Sequence, residues 1–197
     1  MIDASEPTSI GPFVVLRKLG EGAMGVVYAG YDVALDRKVA LKLVHRSLLH
    51  RPQVRARMVR EAQAMARLSS PYVVQVFQVG DHGDRFYLAM ELIDGATLGA
   101  WLRAARRPWR QVLRVFCDAG RGLAAAHAAG LIHRDFKPDN GLVGEDGRAR
   151  VLDFGLVQTE AEAAVGDDDL VVGTASAIES TMDATAAALM ATAAPGV

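Results

Sequence analysis

His133-Arg134-Asp135-Phe136-Lys137-Pro138-Asp139-Asn140, followed at a short distance by Asp153-Phe154-Gly155, is the stretch around which this 197-residue chain is organised. Within six residues a polar loop offers a carboxylate, an ammonium and an amide, and a second carboxylate follows, backed by Phe-Gly. That is the donor set phosphoryl transfer from a metal-bound nucleotide requires. Asp135 could orient and deprotonate a hydroxyl, and Asn140 and Asp153 could hold magnesium through hard oxygen atoms. Asp135 and Asp153 stand 18 residues apart, room for a short hairpin between them.

Working outward, the composition sets bounds. Lys and Arg number 22 against 23 Asp and Glu, a net charge of -1, so no global field favours nucleic acid or an anionic membrane. The single Cys117 rules out an internal disulfide framework and reads as a small buried apolar side chain in a reducing compartment. Met1 to Pro12 lacks the apolar centre of a signal peptide. The Ala-rich run Ala184–Ala194 is shorter than the roughly 20 apolar residues that cross a bilayer. The expectation is a cytoplasmic protein without a membrane segment.

Upstream, an apolar β-branched run from Phe13 to Lys18 leads into Gly20-Glu21-Gly22-Ala23-Met24-Gly25 and then Val26-Val27-Tyr28-Ala29. Glycines at this spacing let a backbone approach phosphates closely. A dinucleotide-binding turn would open a helix here, whereas Val26-Val27-Tyr28 reads as a strand. Lys38–Leu43 is a further strand, with Ala40 and Lys42 on one face because strand side chains alternate. From Pro52 to Leu68 the apolar residues Val54, Met58, Ala62, Met65 and Leu68 recur at helical spacing, with Glu61 beside the stripe. Val73–Val79 and Arg85–Leu92 read as a hairpin around Gly80-Asp81-His82-Gly83-Asp84. Helices are expected over Thr97–Ala105 and Trp109–Ala129; the second carries Val112, Val115, Phe116, Ala119, Leu123 and Ala126 inward and Gly130 as its C-terminal cap. None of His45, His50, His82 and His127 has a partner at metal-ligand spacing.

Taken together, the glycine loop, Val39-Ala40-Leu41-Lys42, the His133–Asn140 loop and Asp153-Phe154-Gly155 resemble the eukaryotic-type protein kinases, and Lys137, two residues after Asp135, resembles the serine/threonine branch. The Ala- and Arg-rich composition suggests a bacterial member of GC-rich origin. The resemblance implies an α+β, two-lobed protein-kinase-like fold: a small antiparallel β lobe with one helix plus an incomplete, mainly helical lobe. It implies ATP and Mg2+ as cofactors and a protein carrying Ser or Thr as substrate. By resemblance the catalytic set is Asp135, Lys137, Asn140, Lys42 and Glu61, with Glu61 pairing with Lys42. The nucleotide would lie against Leu19, Gly20, Glu21, Gly22, Ala23, Met24, Gly25, Val27, Ala40, Lys42, Met90, Glu91, Ile93, Asp94 and Leu142, and magnesium on Asn140 and Asp153. Met90 would gate the back of the base pocket. His133 would pack under Phe154, with Met65 facing the same ring, and Arg134 would face an anionic activation segment.

Two departures qualify the resemblance. Gly141 stands where the family usually has an aliphatic side chain, a core contact worth about 1–3 kcal/mol. Beyond Asp167-Asp168-Asp169 and Gly173-Thr174 the family's Ala-Pro-Glu does not follow, and nine of residues 175–197 are Ala. The expected organisation is a tail over 1–10, a nucleotide-binding lobe over 11–93, a partial second lobe over 94–174 and a disordered or aberrant tail over 175–197. Two readings of function follow. One is phosphoryl transfer to Ser/Thr hydroxyls of proteins, impaired in a truncated chain of low stability. The other is a non-catalytic, nucleotide-binding or pseudokinase-like module. A small-molecule kinase fits less well, because such enzymes usually lack Lys137 together with a Gly-Thr element.

Overall fold

The computed structural model describes residues 7–49 and 52–154, with only the backbone of residues 52–54. His50, Gly155, Asp167-Asp168-Asp169, Gly173-Thr174 and the 175–197 segment lie outside the described residues. Six antiparallel strands form one sheet in the order β1-β2-β3-β4-β6-β5: β1 Ser9–Ile10, β2 Phe13–Gly22, β3 Gly25–Asp32, β4 Arg37–Val44, β5 Val76–His82 and β6 Arg85–Glu91. A second, three-stranded sheet is built from β7 Gly95–Thr97, β8 Gly141–Gly144 and β9 Ala149–Val151. Three α-helices complete the described chain: α1 Pro52–Arg67, α2 Leu98–Ala104 and α3 Trp109–Ala128. None of them is long and apolar enough to cross a membrane.

The alternation of β4 divides the six-stranded sheet between two cores. Val39, Leu41 and Leu43 join Ile10, Phe13, Val15, Tyr28 and Tyr87 on one face. On the other, Ala40 and Val44 join Met58, Ala62 and Met65 of α1, together with Leu142, Leu152 and Phe154. Because strand side chains alternate, Lys42 points into this second, larger core, where an ammonium must find a counter-charge.

Helix boundaries follow local chemistry. The Thr97 side chain accepts a hydrogen bond from the Ala100 amide at 3.1 Å and so caps α2. At the end of α3, Gly130 adopts φ +76°, with its amide donating to His127 O and the Leu131 amide to Ala126 O, a Schellman arrangement that fulfils the expected glycine cap. The inward stripe of α3 is rotated from the one read in sequence. Val115, Asp118, Ala119, Gly122 and Ala126 are buried, while Phe116 joins Trp109 and Leu113 on the exposed side. Cys117, expected in the core, is exposed for the same reason: it lies beside Phe116 on the outward arc. β5 begins at Val76, later than expected, because Val73 instead bridges in parallel to Val151 and the Val74 amide donates to Val151 O.

Gly141 is buried at the start of β8 with extended backbone, φ -129° and ψ 136°. A Cβ there would meet Leu98 Cβ at 3.6 Å and Pro138 O at 4.0 Å, ordinary van der Waals distances. Gly141→Ala should therefore stabilise the fold by about 0.4–1 kcal/mol, by narrowing the unfolded ensemble without straining the folded one. Urea unfolding midpoints check this, and a lower midpoint for the variant would show that the strand needs the glycine.

Candidate active site

Leu152 is the residue that assembles the site. Its amide donates to Asn140 O at 3.0 Å, and its carbonyl accepts from His133 Nε2 at 2.9 Å, so both ends of the His133–Asn140 loop are tied to one residue. A carbonyl only accepts, so Nε2 carries the imidazole proton; Nδ1 is buried without a partner among the described residues. The buried His133 ring lies 4.8 Å from the Phe154 ring, the packing expected of it, and Met65 is buried in the same core. This anchoring ties the residue just before Asp153 to both ends of the loop. Asp153 and Arg134 adopt φ of +56° and +62°, a conformation uncommon for side-chain-bearing residues and held here by the surrounding bonds.

Within the loop, Lys137 Nζ is 3.0 Å from Asp135 Oδ2, and Asn140 Nδ2 donates to Asp135 O at 2.7 Å. Asn140 Nδ2 also reaches Asp135 Oδ2 at 3.5 Å. Asp135 is exposed. Its carboxylate is held by two neighbours, each within five residues in the chain. Asn140 spends its NH2 group on Asp135, which leaves Oδ1 as the atom free to face a cation. That oxygen and the Asp153 carboxylate make a hard-donor pair suited to magnesium.

Lys42 is the most deeply placed charge, with its side chain 2% exposed. Its Nζ is 2.7 Å from Asp153 Oδ1, itself 12% exposed, and this replaces the expected Lys42–Glu61 pair. The buried ammonium takes the carboxylate that the Leu152 bonds have fixed beside it. Glu61, on α1, instead has Oε1 at 3.9 Å from Arg134 Nη1, and its buried Oε2 has no hydrogen-bond partner among the described residues. Arg134 therefore faces Glu61, and any contact of it with the activation segment lies outside the described residues.

Burial pushes the Glu61 carboxyl above its usual range, against the lowering pull of Arg57, Arg134 and Arg60. A carboxyl raised in the folded state binds more protons there than when unfolded. The contribution to stability is thus present below the unfolded value near 4.5 and lost as pH rises through the folded value. Glu61→Gln should consequently melt higher than the parent chain at pH 7, with the difference vanishing towards pH 4. Thermal melts across that range check it, and a parent chain that is the more stable at pH 7 would show Glu61 to be well compensated.

The base-binding residues expected from sequence gather at one place. Leu19, Val27, Ala40, Met90, Ile93 and Leu142 are all buried in the larger core. A narrow cavity lies behind them, lined by Lys42, Met65, Val74, Val76, Leu88, Met90, Leu152 and Asp153. The Glu91 amide is already engaged by Gln75 O at 2.9 Å, and Asp94 O accepts from the Glu145 amide at 3.0 Å. In the glycine loop, Gly22 is paired to Gly25 at the neck. Gly25 has φ +154°, and a Cβ there would lie 2.2 Å from Leu43 O, so only glycine fits. Arg150 was not legible as part of this region. It is bonded to Asp146 at 2.8 Å and lies 3.8 Å from Glu91, joining the β8–β9 hairpin to the end of β6. A lone Arg within a short strand gives no sequence signal for such a contact. Among the described residues no cluster of three or more His, Cys, Asp and Glu could hold a metal by itself.

Comparison with known proteins agrees with this geometry. The protein kinase domain family matches residues 13–176. The serine/threonine-protein kinase PknL of Mycobacterium tuberculosis is 41% identical over 165 residues, covering 83% of this chain and 41% of that protein. The probable serine/threonine-protein kinase pknA2 of Bifidobacterium longum is 35% identical over 178 residues, covering 87% of this chain and 24% of that protein. Among solved structures, the PknI kinase domain of M. tuberculosis superposes with a TM-score of 0.69 at 28% identity, over 76% of this chain and 62% of that one. This chain thus spans less than half the length of either curated relative named here.

Proposed function

The chain belongs to the protein kinase family and has its fold, and on that premise we propose that it transfers the γ-phosphoryl group of ATP to Ser or Thr hydroxyls of proteins. The observation that carries the reading is the convergence of Lys42, Asp153, Asn140 and Asp135 on one cleft, held there by the two hydrogen bonds of Leu152. In this reading Asn140 and Asp153 hold magnesium, which would neutralise charge on the phosphates when bound. Asp135 orients the hydroxyl and accepts its proton, and Lys137 sits beside the transferred group.

With Lys42 holding Asp153 Oδ1 at 2.7 Å, Oδ2 is the oxygen that would face the cation.

The substrate we propose is a protein and not nucleic acid, in keeping with the near-neutral charge, and the single cysteine suits the cytoplasm. The 197-residue chain alone should transfer slowly. Trp109 and Leu113 of α3 are 65% and 53% exposed, so the helix beneath the catalytic loop is incompletely packed among the described residues. The test is incubation of the purified chain with radiolabelled ATP, Mg2+ and a Ser/Thr-rich acceptor protein, followed by phosphoamino-acid analysis. Label on Ser or Thr supports the proposal. Nucleotide binding without transfer would favour the non-catalytic reading, a module that binds nucleotide in the same cleft.

A further inference from the structure

We infer that His45 is a positioning residue for nucleotide phosphate, acting through the glycine loop. This rests on the kinase reading above. His45 follows β4 and is fixed by its own backbone: its amide donates to Met24 O at 3.1 Å, and its carbonyl accepts from the Leu48 amide at 3.1 Å. From this fixed point the imidazole reaches across 23 residues of sequence to the loop, with Nε2 2.9 Å from Gly22 O. The partner is a carbonyl, so Nε2–H is the donor. Glu21 Oε1 stands 3.9 Å from the same nitrogen, and its other oxygen is held by Lys18 Nζ at 2.7 Å.

The consequence follows from peptide geometry. In a planar trans peptide the C=O and the N–H of the next residue point in opposite directions. Drawing Gly22 O towards His45 therefore turns the Ala23 amide away from it, off the β4 side of the loop. Ala23 and Met24 form the two-residue tip between Gly22 and Gly25, where glycine on both sides leaves the backbone free to rotate. A tip of that kind needs an external anchor to hold its amides in one orientation. His45 supplies two, one to the carbonyl before Ala23 and one to the carbonyl of Met24. The ligand served is the phosphate chain of a nucleotide; the base is bound elsewhere in the cleft.

The experiment measures dissociation constants of ATP and of adenosine for the parent chain, His45→Ala and His45→Gln. His45→Ala should weaken ATP about fivefold, the worth of one hydrogen bond, and leave adenosine unchanged. His45→Gln, whose amide also donates, should recover ATP affinity to within about twofold. Equal loss for ATP and adenosine would show a merely structural role and overturn the inference, as would unchanged ATP affinity in His45→Ala. A parent chain that binds adenosine but not ATP would overturn it as well. Failure of the parent chain to bind either ligand would instead overturn the kinase reading on which it rests.

Discussion

Asp153→Leu should cost about 3–5 kcal/mol of folding stability, because it removes the carboxylate paired with the buried Lys42 ammonium. The reverse deletion, Lys42→Met, should cost less, since the stranded carboxylate is the more exposed partner, 12% against 2%. The double variant Lys42→Met/Asp153→Leu removes both charges from a core of Met65, Leu88, Met90 and Leu152 and should recover most of the loss. Urea unfolding of the four proteins closes the cycle. Single variants that each cost under about 1 kcal/mol and add without interaction would show the pair to be solvated and dispensable. The parent pair should also resist salt, because screening acts on exposed charges far more than on buried ones.

Replacing Asp135 by Asn should lower the single-turnover rate of phosphoryl transfer by about 10²–10⁴-fold, the usual worth of a positioned general base. The substitution preserves shape and can keep the contact with Asn140, but it removes the proton acceptor and the charge that holds Lys137 at 3.0 Å. That ion pair is solvent-facing, so stability should change by no more than about 1 kcal/mol. ATP affinity should hold as well, since Asp135 is not among the residues proposed to bind the nucleotide. A transfer rate unchanged in Asp135→Asn would remove Asp135 from the chemistry; a large fall in ATP affinity would place it in binding instead.

These two expectations draw on different levels of the chain. Asp135, Lys137 and Asn140 were legible in sequence because loop chemistry is local: the three lie within six residues, and their mutual contacts form wherever that loop forms. The strands and helices were legible for the same reason, each being set by its own periodicity and punctuation, as with Gly130 at the end of α3. Rotational detail was not. The inward arc of α3 depends on what it packs against, and Gly122, pressed against the Tyr72 carbonyl, turned Phe116 and Cys117 outward. Partner choice among distant charges was also beyond the sequence. Lys42 lies 19 residues from Glu61 and 111 from Asp153, and nothing in spacing says which carboxylate the folded core will hold within reach. The contact of His45 with Gly22 belongs to the same class.

Both hydrogen bonds of Leu152 end on the His133–Asn140 loop, one at each limit of its eight residues. The Leu152 amide proton can exchange with solvent only when its bond to Asn140 opens, so its exchange rate reports how often the far end of the loop detaches. If loop and strand open as one cooperative unit, His133→Ala, which cuts only the near tether, should speed exchange at Leu152 as well. A single backbone proton would then serve as a clock for the intactness of the whole proposed site, readable without nucleotide or substrate.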